Sequence, residues 1–215
     1  MNAPPSAADG GASAFPAPRR PIPGAGALEL SELWPARWPD VRPIGHRLRG
    51  GDQWVRFHSL PESKRYADND DEYAELLRRH RAVLGDLAAL GAGPSGLWVI
   101  TCTWSAGPDP LPRPAPLAAA TPDSAYWQSL PPDDYSEAWT HLFAGRVGLD
   151  DQGLDTLLCL VADGVTSDVI LADADLRWLY HPYDGGADVI APTSADRDVL
   201  QDRYAAWLPD NPSGL

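Results

Sequence analysis

Between Asn69 and Gly91 the chain carries a single apolar stripe. Tyr73, Leu76, Leu77, His80, Val83, Leu84, Leu87 and Leu90 recur at three- and four-residue spacing, the period of a helix that buries one face. Asn69 with Glu72 three residues later forms a capping-box pattern, and Asp70 and Asp71 suit the positive end of the helix dipole. Gly91 and Gly93-Pro94 end the run. A helix over about 69–90 with so wide an apolar face needs a sheet or other helices to cover it.

The flanking segments read as strands and shorter helices. Gly50-Gly51 tolerates the positive φ of a tight turn, so Pro43–Arg49 and Asp52–Leu60 are expected to form a hairpin. That turn would set Arg49 against Asp52, Arg47 against Trp54, Gly45 against Arg56 and Pro43 against His58. Arg47 would then stack on Trp54. Because strand side chains alternate, Arg47, Arg49, Trp54, Arg56 and His58 would share one side. Ile44, His46, Leu48, Val55 and Phe57 would face the core.

Leu97–Trp104 reads as an interior strand, and the proline-dense 107–122 stretch as a surface loop. Trp139, His141, Phe143 and Gly145 alternate like a strand within 135–147. Leu154, Leu157, Leu158 and Val161 suggest a short helix ended by Gly164, with a strand over Val165–Leu171. Arg177–His181 and Ala187–Ala191 form a second expected hairpin through Pro182-Tyr183-Asp184-Gly185-Gly186. Ser194 is the expected N-cap of a last helix that buries Val199, Leu200, Tyr204, Trp207 and Leu208.

Near the start, Leu30, Leu33 and Trp34 have helical spacing, but Pro35 and Pro39 limit it to a turn or two. Residues 1–27 are rich in Pro, Ala and Gly and read as a disordered leader. The expectation is therefore one α+β domain over 28–215. It has a mostly antiparallel sheet with two hairpins, packed by the long helix, the short helix and the C-terminal helix.

Charge is unevenly placed. The 215 residues hold 17 Lys+Arg and 30 Asp+Glu, a net charge of -13. Residues 1–91 are balanced at 12 cations and 12 anions, whereas residues 92–215 hold 5 cations and 18 anions. Inside the first half, Arg42, Arg47, Arg49, Arg56, Lys64 and Arg65 form a basic island. The acidic balance argues against general nucleic-acid or membrane-surface binding. No apolar run approaches membrane-span length, and no secretory signal core is evident. Cys102 and Cys159 have neither disulfide-scaffold nor zinc-ligand spacing, which suits a cytoplasmic protein.

Two places concentrate polar chemistry. On the basic face, Arg56, Lys64 and Arg65 beside His58 and Tyr66 could hold an anion, or could simply pair with the acidic second half. Near the second turn, which also carries Tyr183, His181, Asp184 and Asp188 with His58 could supply a hard-metal or acid–base site, or only ordinary turn structure. His46 and His80 are expected to be structural. Ser59 follows His58, but adjacent strand residues point oppositely, which excludes a nucleophile–base pair between them. No metal-binding motif, cofactor motif, P-loop or nucleophile elbow is read, and no metal or cofactor is assigned. The nine tryptophans are expected to lie mostly in the core.

Three segments carry a resemblance: Arg56-Phe57-His58-Ser59-Leu60-Pro61-Glu62-Ser63-Lys64-Arg65-Tyr66, then His181-Pro182-Tyr183-Asp184-Gly185-Gly186-Ala187-Asp188-Val189, then the Trp207-Leu208-Pro209 ending through Leu215. Together they resemble an uncharacterised bacterial family of domain-of-unknown-function type, over about Trp54 to Leu215. The resemblance implies a bacterial, cytoplasmic, single-domain protein and supplies no catalytic residue.

The leading expectation is a non-enzymatic recognition protein, of immunity or toxin-neutralising kind, whose acidic surface meets a basic protein partner. The alternative is a hydrolase or transferase, or a ligand-binding module, for a small anionic molecule at the 56–66 and 181–188 segments. There His58 or His181 would act as base and Asp184 or Asp188 would orient it.

Overall fold

A computed structural model describes residues 24–91 and 96–210. Its elements in chain order are α1 (Ala25–Arg37), β1 (Trp54–His58), α2 (Asp70–Leu90), β2 (Leu97–Ser105), α3 (Ala115–Ala120), β3 (Ala125–Leu130), β4 (Trp139–Val147), α4 (Gln152–Ala162), β5 (Ile170–Ala172), β6 (Leu179–Tyr183), β7 (Gly186–Ile190) and α5 (Ser194–Arg203). The seven strands form one sheet in the order β1-β7-β6-β5-β2-β4-β3. Every neighbouring pair is antiparallel. The α+β class, the antiparallel sheet and the long helix stand as expected.

Strand alternation sorts the apolar side chains into two layers. Val55 and Phe57 of β1, with Tyr180 and Val189, pack against α2, α4 and α5. Leu179, Ile190, Ile170 and Ile100 point the other way, into a core with Leu30 and Trp34 of α1. β2 is interior, with β4 and β5 pairing its two edges and its faces covered by the two layers: Leu97 and Val99 enter one core, and Trp98, Ile100 and Cys102 the other. Each fully buried aliphatic or aromatic side chain contributes roughly 1.5–3 kcal/mol.

The first expected hairpin does not form. Gly50 and Gly51 do take positive φ, at 93° and 85°, but Gly45–Arg47 upstream is a single 3-10 turn, not a strand. β1 pairs instead with β7, Trp54 opposite Ile190 and His58 opposite Gly186. Arg47 consequently lies over the Tyr135 ring at 4.5 Å, and it is Arg56 whose guanidinium lies over the Trp54 ring, at 5.5 Å. His46, expected in the core, is largely exposed and bonds Asp168. The alternation read for β1 itself holds, with Val55 and Phe57 in the core.

Other differences are local. α1 runs to Arg37 with Pro35 inside, since a proline in the last turn removes only one N–H. The proline-dense stretch contains α3, and the strand expected over 165–171 is confined to Ile170–Ala172. α5 is capped by Thr193, whose hydroxyl accepts from the Asp196 N–H at 3.1 Å, not by Ser194. Val199 is 65% exposed because Leu200 and Tyr204 take the buried face. Among the tryptophans, Trp34, Trp98, Trp127 and Trp178 are buried, whereas Trp104 is exposed. The leader expected over 1–27 lies outside the described residues up to residue 23, and α1 begins at Ala25.

Candidate functional site

The β1–β7–β6 register lines up three polar side chains. Arg56 opposes Asp188 on one ladder, and Asp188 opposes His181 on the next. All three point away from the α2 side. The Asp188 carboxylate is fully buried and accepts four bonds: Arg56 Nε at 2.8 Å, Arg56 Nη2 at 3.0 Å, Trp54 Nε1 at 2.9 Å and Arg49 Nε at 2.9 Å. Burial opposes the charge on Arg56, but the bonds and field of Asp188 outweigh it and hold the guanidinium above its ordinary pKa. Tyr183 stacks on Arg56 at 4.9 Å, and burial pushes its phenol up to about 12.

His181 is also buried. Its Nδ1–H donates to the Val169 carbonyl at 2.9 Å, and burial lowers its pKa. The 3-10 turn presses against this ring: a Cβ on Gly45 would lie 2.2 Å from His181 Nδ1. Gly186 answers a similar demand where β7 begins, since a Cβ there would meet the Phe57 carbonyl oxygen at 2.0 Å.

The two distinctive segments meet along this edge of the sheet. Ser59 N–H donates to the Gly185 carbonyl at 3.1 Å. Arg65 bonds Asp184 through Nε at 2.9 Å, and the Tyr66 hydroxyl donates to the same carboxylate at 3.3 Å. Lys64 turns the other way, reaching Asp68 at 2.7 Å and Glu72 at 2.6 Å. Arg56, Lys64 and Arg65 are therefore each bonded to carboxylates. The register puts His58 and His181 on the same face of the sheet, but His181 spends its Nδ1 on the backbone.

A different serine–histidine contact exists, between a strand end and a helix. Ser59 Oγ lies 2.9 Å from His80 Nε2, and His80 Nδ1 lies 2.6 Å from the Tyr180 hydroxyl. A second histidine, His141, sits between Ser105 Oγ at 2.7 Å and Ser129 Oγ at 2.8 Å. Ser59, His80, Tyr180 and His141 are all buried. Burial drives His80 down to about 4, so it stays neutral and is a weak base at neutral pH. These contacts tie sheet to helix and strand to strand. The sequence signal for the first was His80 on the apolar stripe; its serine partner comes from tertiary packing alone. No group of three His, Cys, Asp or Glu side chains among the described residues is placed to hold a metal ion. Nor is any described helix long and apolar enough to cross a membrane.

The edge carrying residues 56–66 has one strained turn. Glu62 and Ser63 both adopt positive φ, at 54° and 56°, a region that costs a non-glycine residue roughly 1–2 kcal/mol. Around it Glu62, Asp68, Asp70, Asp71 and Asp163 are exposed. Tyr66 at 53% and Val165 at 50% are also exposed, and the Tyr73 hydroxyl bonds Asp163 at 2.5 Å to join the two halves of this surface.

No curated protein and no solved structure matches the chain. One family model does match, over residues 44–212. That span takes in the 3-10 turn, the Asp188 cluster and the strained edge, and begins ten residues before the resemblance read from Trp54. On this evidence the chain belongs to the family described as a domain of unknown function, DUF3885.

Proposed function

We propose that this is a bacterial, cytoplasmic, non-enzymatic recognition protein, of immunity or toxin-neutralising kind. It binds a basic protein partner through the acidic edge around Glu62–Asp71. The observation that carries this reading is the pairing of Lys64 with Asp68 and Glu72 and of Arg65 with Asp184. With Lys64 and Arg65 paired, the edge presents the exposed side chains of Glu62, Asp70 and Asp71 and the exposed ring of Tyr66. An aromatic anchor in a charged rim is a common arrangement for recognition. Two consecutive non-glycine residues held at positive φ mark a turn kept despite its cost, as recognition surfaces often require. Cys102 and Cys159 are unpaired, in keeping with a reducing compartment.

The immobilised protein should retain a basic protein from a lysate of its source organism at low salt. It should release that protein as salt rises. The triple substitution Glu62→Lys, Asp70→Lys, Asp71→Lys should abolish retention without unfolding the chain. Equal retention by the triple variant would refute the reading.

A second reading, an enzyme or ligand module for a small anion, is supported by one observation: the 56–66 and 181–188 segments meet. Against it, Asp188 and His181 are buried with their bonding engaged, and Asp184, half-buried, already accepts from Arg65 and Tyr66; of the acid–base groups named for this reading, only the half-buried His58 lies outside these bonds.

A further inference from the structure

A cleft of about 610 Å³ opens between the 38–53 segment and the start of α5. Trp38 and Val41 give it an apolar side, Arg47 and Arg49 a cationic one, and Gln53 and Ser194 line its floor and rim. Asp52, exposed, also borders it.

The two cations of the cleft share their carboxylates with arginines outside it. Asp133 is shared by Arg42 and Arg47, and Asp188 by Arg49 and Arg56. Four guanidiniums thus rest on two carboxylates. Arg42 registers the crowding: burial and the neighbouring Arg47 charge lower its pKa. Bonding capacity is left over as well. Arg47 gives Nη2 to Asp133 at 2.6 Å, but its Nε is buried with no partner among the described residues. Arg49 is 38% exposed and commits only Nε, to Asp188.

The opposite rim is the N-terminus of the ten-residue helix α5. The Thr193 hydroxyl accepts from the Asp196 N–H and donates to the Asp196 carboxylate at 2.6 Å, while Ser194 and Ala195, whose N–H groups have no partner within the helix, are exposed. Such a terminus carries partial positive charge and free donors. Guanidiniums with spare forks face carboxylate and phosphate geometry well.

We propose that this cleft is a binding site for a small molecule that joins a phosphate or carboxylate to an apolar body. Arg47, Arg49 and the start of α5 hold the anion, while Trp38 and Val41 cover the apolar part. The site is separate from the acidic edge assigned to partner recognition, so either assignment can fail alone.

Isothermal titration with phenyl phosphate, inorganic phosphate and benzylammonium tests it. Phenyl phosphate should bind saturably and more tightly than inorganic phosphate, and benzylammonium should not bind. Loss of one charge-assisted bond weakens binding by roughly tenfold or more, so Arg49→Gln should do so. Ser194→Glu should act likewise while leaving the fold intact, because an acid in the first turn favours the helix. Arg78→Gln, on the exposed side of α2, should change nothing. Absence of saturable phenyl phosphate binding would overturn the proposal, as would binding unmoved by both Arg49→Gln and Ser194→Glu. Phosphate binding as tight as phenyl phosphate would overturn the role of the apolar wall.

Discussion

Arg56 faces Asp188 directly across the β1–β7 ladder and grips both of its carboxylate oxygens, at 2.8 and 3.0 Å. The pair links the first strand to one more than 130 residues later and fixes the edge of the sheet on which the distinctive segments meet. Its partners are unequal, since Arg56 is nearly buried and Arg49 is more than a third exposed.

Asp188→Asn should therefore cost about 3–5 kcal/mol, because it leaves the Arg56 charge buried without its counterion. Arg49→Gln should cost less than about 1 kcal/mol, as expected for a partly exposed pair member. Urea unfolding followed by circular dichroism separates the two. Similar losses for both would contradict a hub organised by Arg56.

Stability should fall as pH is lowered from about 6.5 toward 4. Burial holds His80 at about 4 in the folded chain, below its unfolded value of about 6.5. The unfolded state then binds more protons, so the stabilisation is complete above about 6.5 and is lost as pH falls through the folded value, amounting to roughly 3 kcal/mol. Burial also lowers His141 and His181, which adds in the same direction. Unfolding free energies measured across this window should show a smaller slope for His80→Gln, which keeps hydrogen-bonding capacity but does not titrate.

Gly45→Ala should destabilise the chain by about 1–3 kcal/mol, the usual cost of overpacking. The added methyl would occupy the position of the His181 ring, which cannot retreat without breaking its bond to Val169. A thermal melt checks this. An unchanged midpoint would show that the 3-10 turn does not press on His181.

Ser63→Gly should stabilise the chain by roughly 0.5–1 kcal/mol, the relief of a left-handed residue less the entropy of glycine. The same substitution should weaken partner capture if the turn is held in its strained form for recognition. Gain in both stability and capture would argue against that role.

How legible the fold was in the sequence depends on the distance over which each feature is decided. The α2 stripe and its Asn69 cap are local, and both appear as read except that Leu90 at the helix end is exposed; the Asn69 side chain accepts from the Glu72 N–H at 3.1 Å. The β6–β7 hairpin followed from Asp184-Gly185, though its strands are shifted by one or two residues. The hairpin at Gly50-Gly51 failed because a local turn signal does not name the strand that follows it. β7 offered β1 a buried carboxylate and an apolar ladder, and residues 45–47 packed on His181 instead. The meeting of the 56–66 and 181–188 segments followed the same way, from pairing across the whole chain. The Ser59–His80 contact was hidden because it joins a strand end to the middle of a helix. The charge island was visible, but its pairing was not: which arginine meets which aspartate is set by the register.

The most direct test of the recognition reading is the association rate of the captured basic partner, measured by stopped flow across a range of ionic strength. An acidic edge that steers a basic partner predicts an association rate that falls by about tenfold or more between low and physiological salt, with the dissociation rate little changed. The Glu62→Lys, Asp70→Lys, Asp71→Lys variant should lose that dependence. An association rate independent of salt, or one unchanged in the triple variant, would contradict the account.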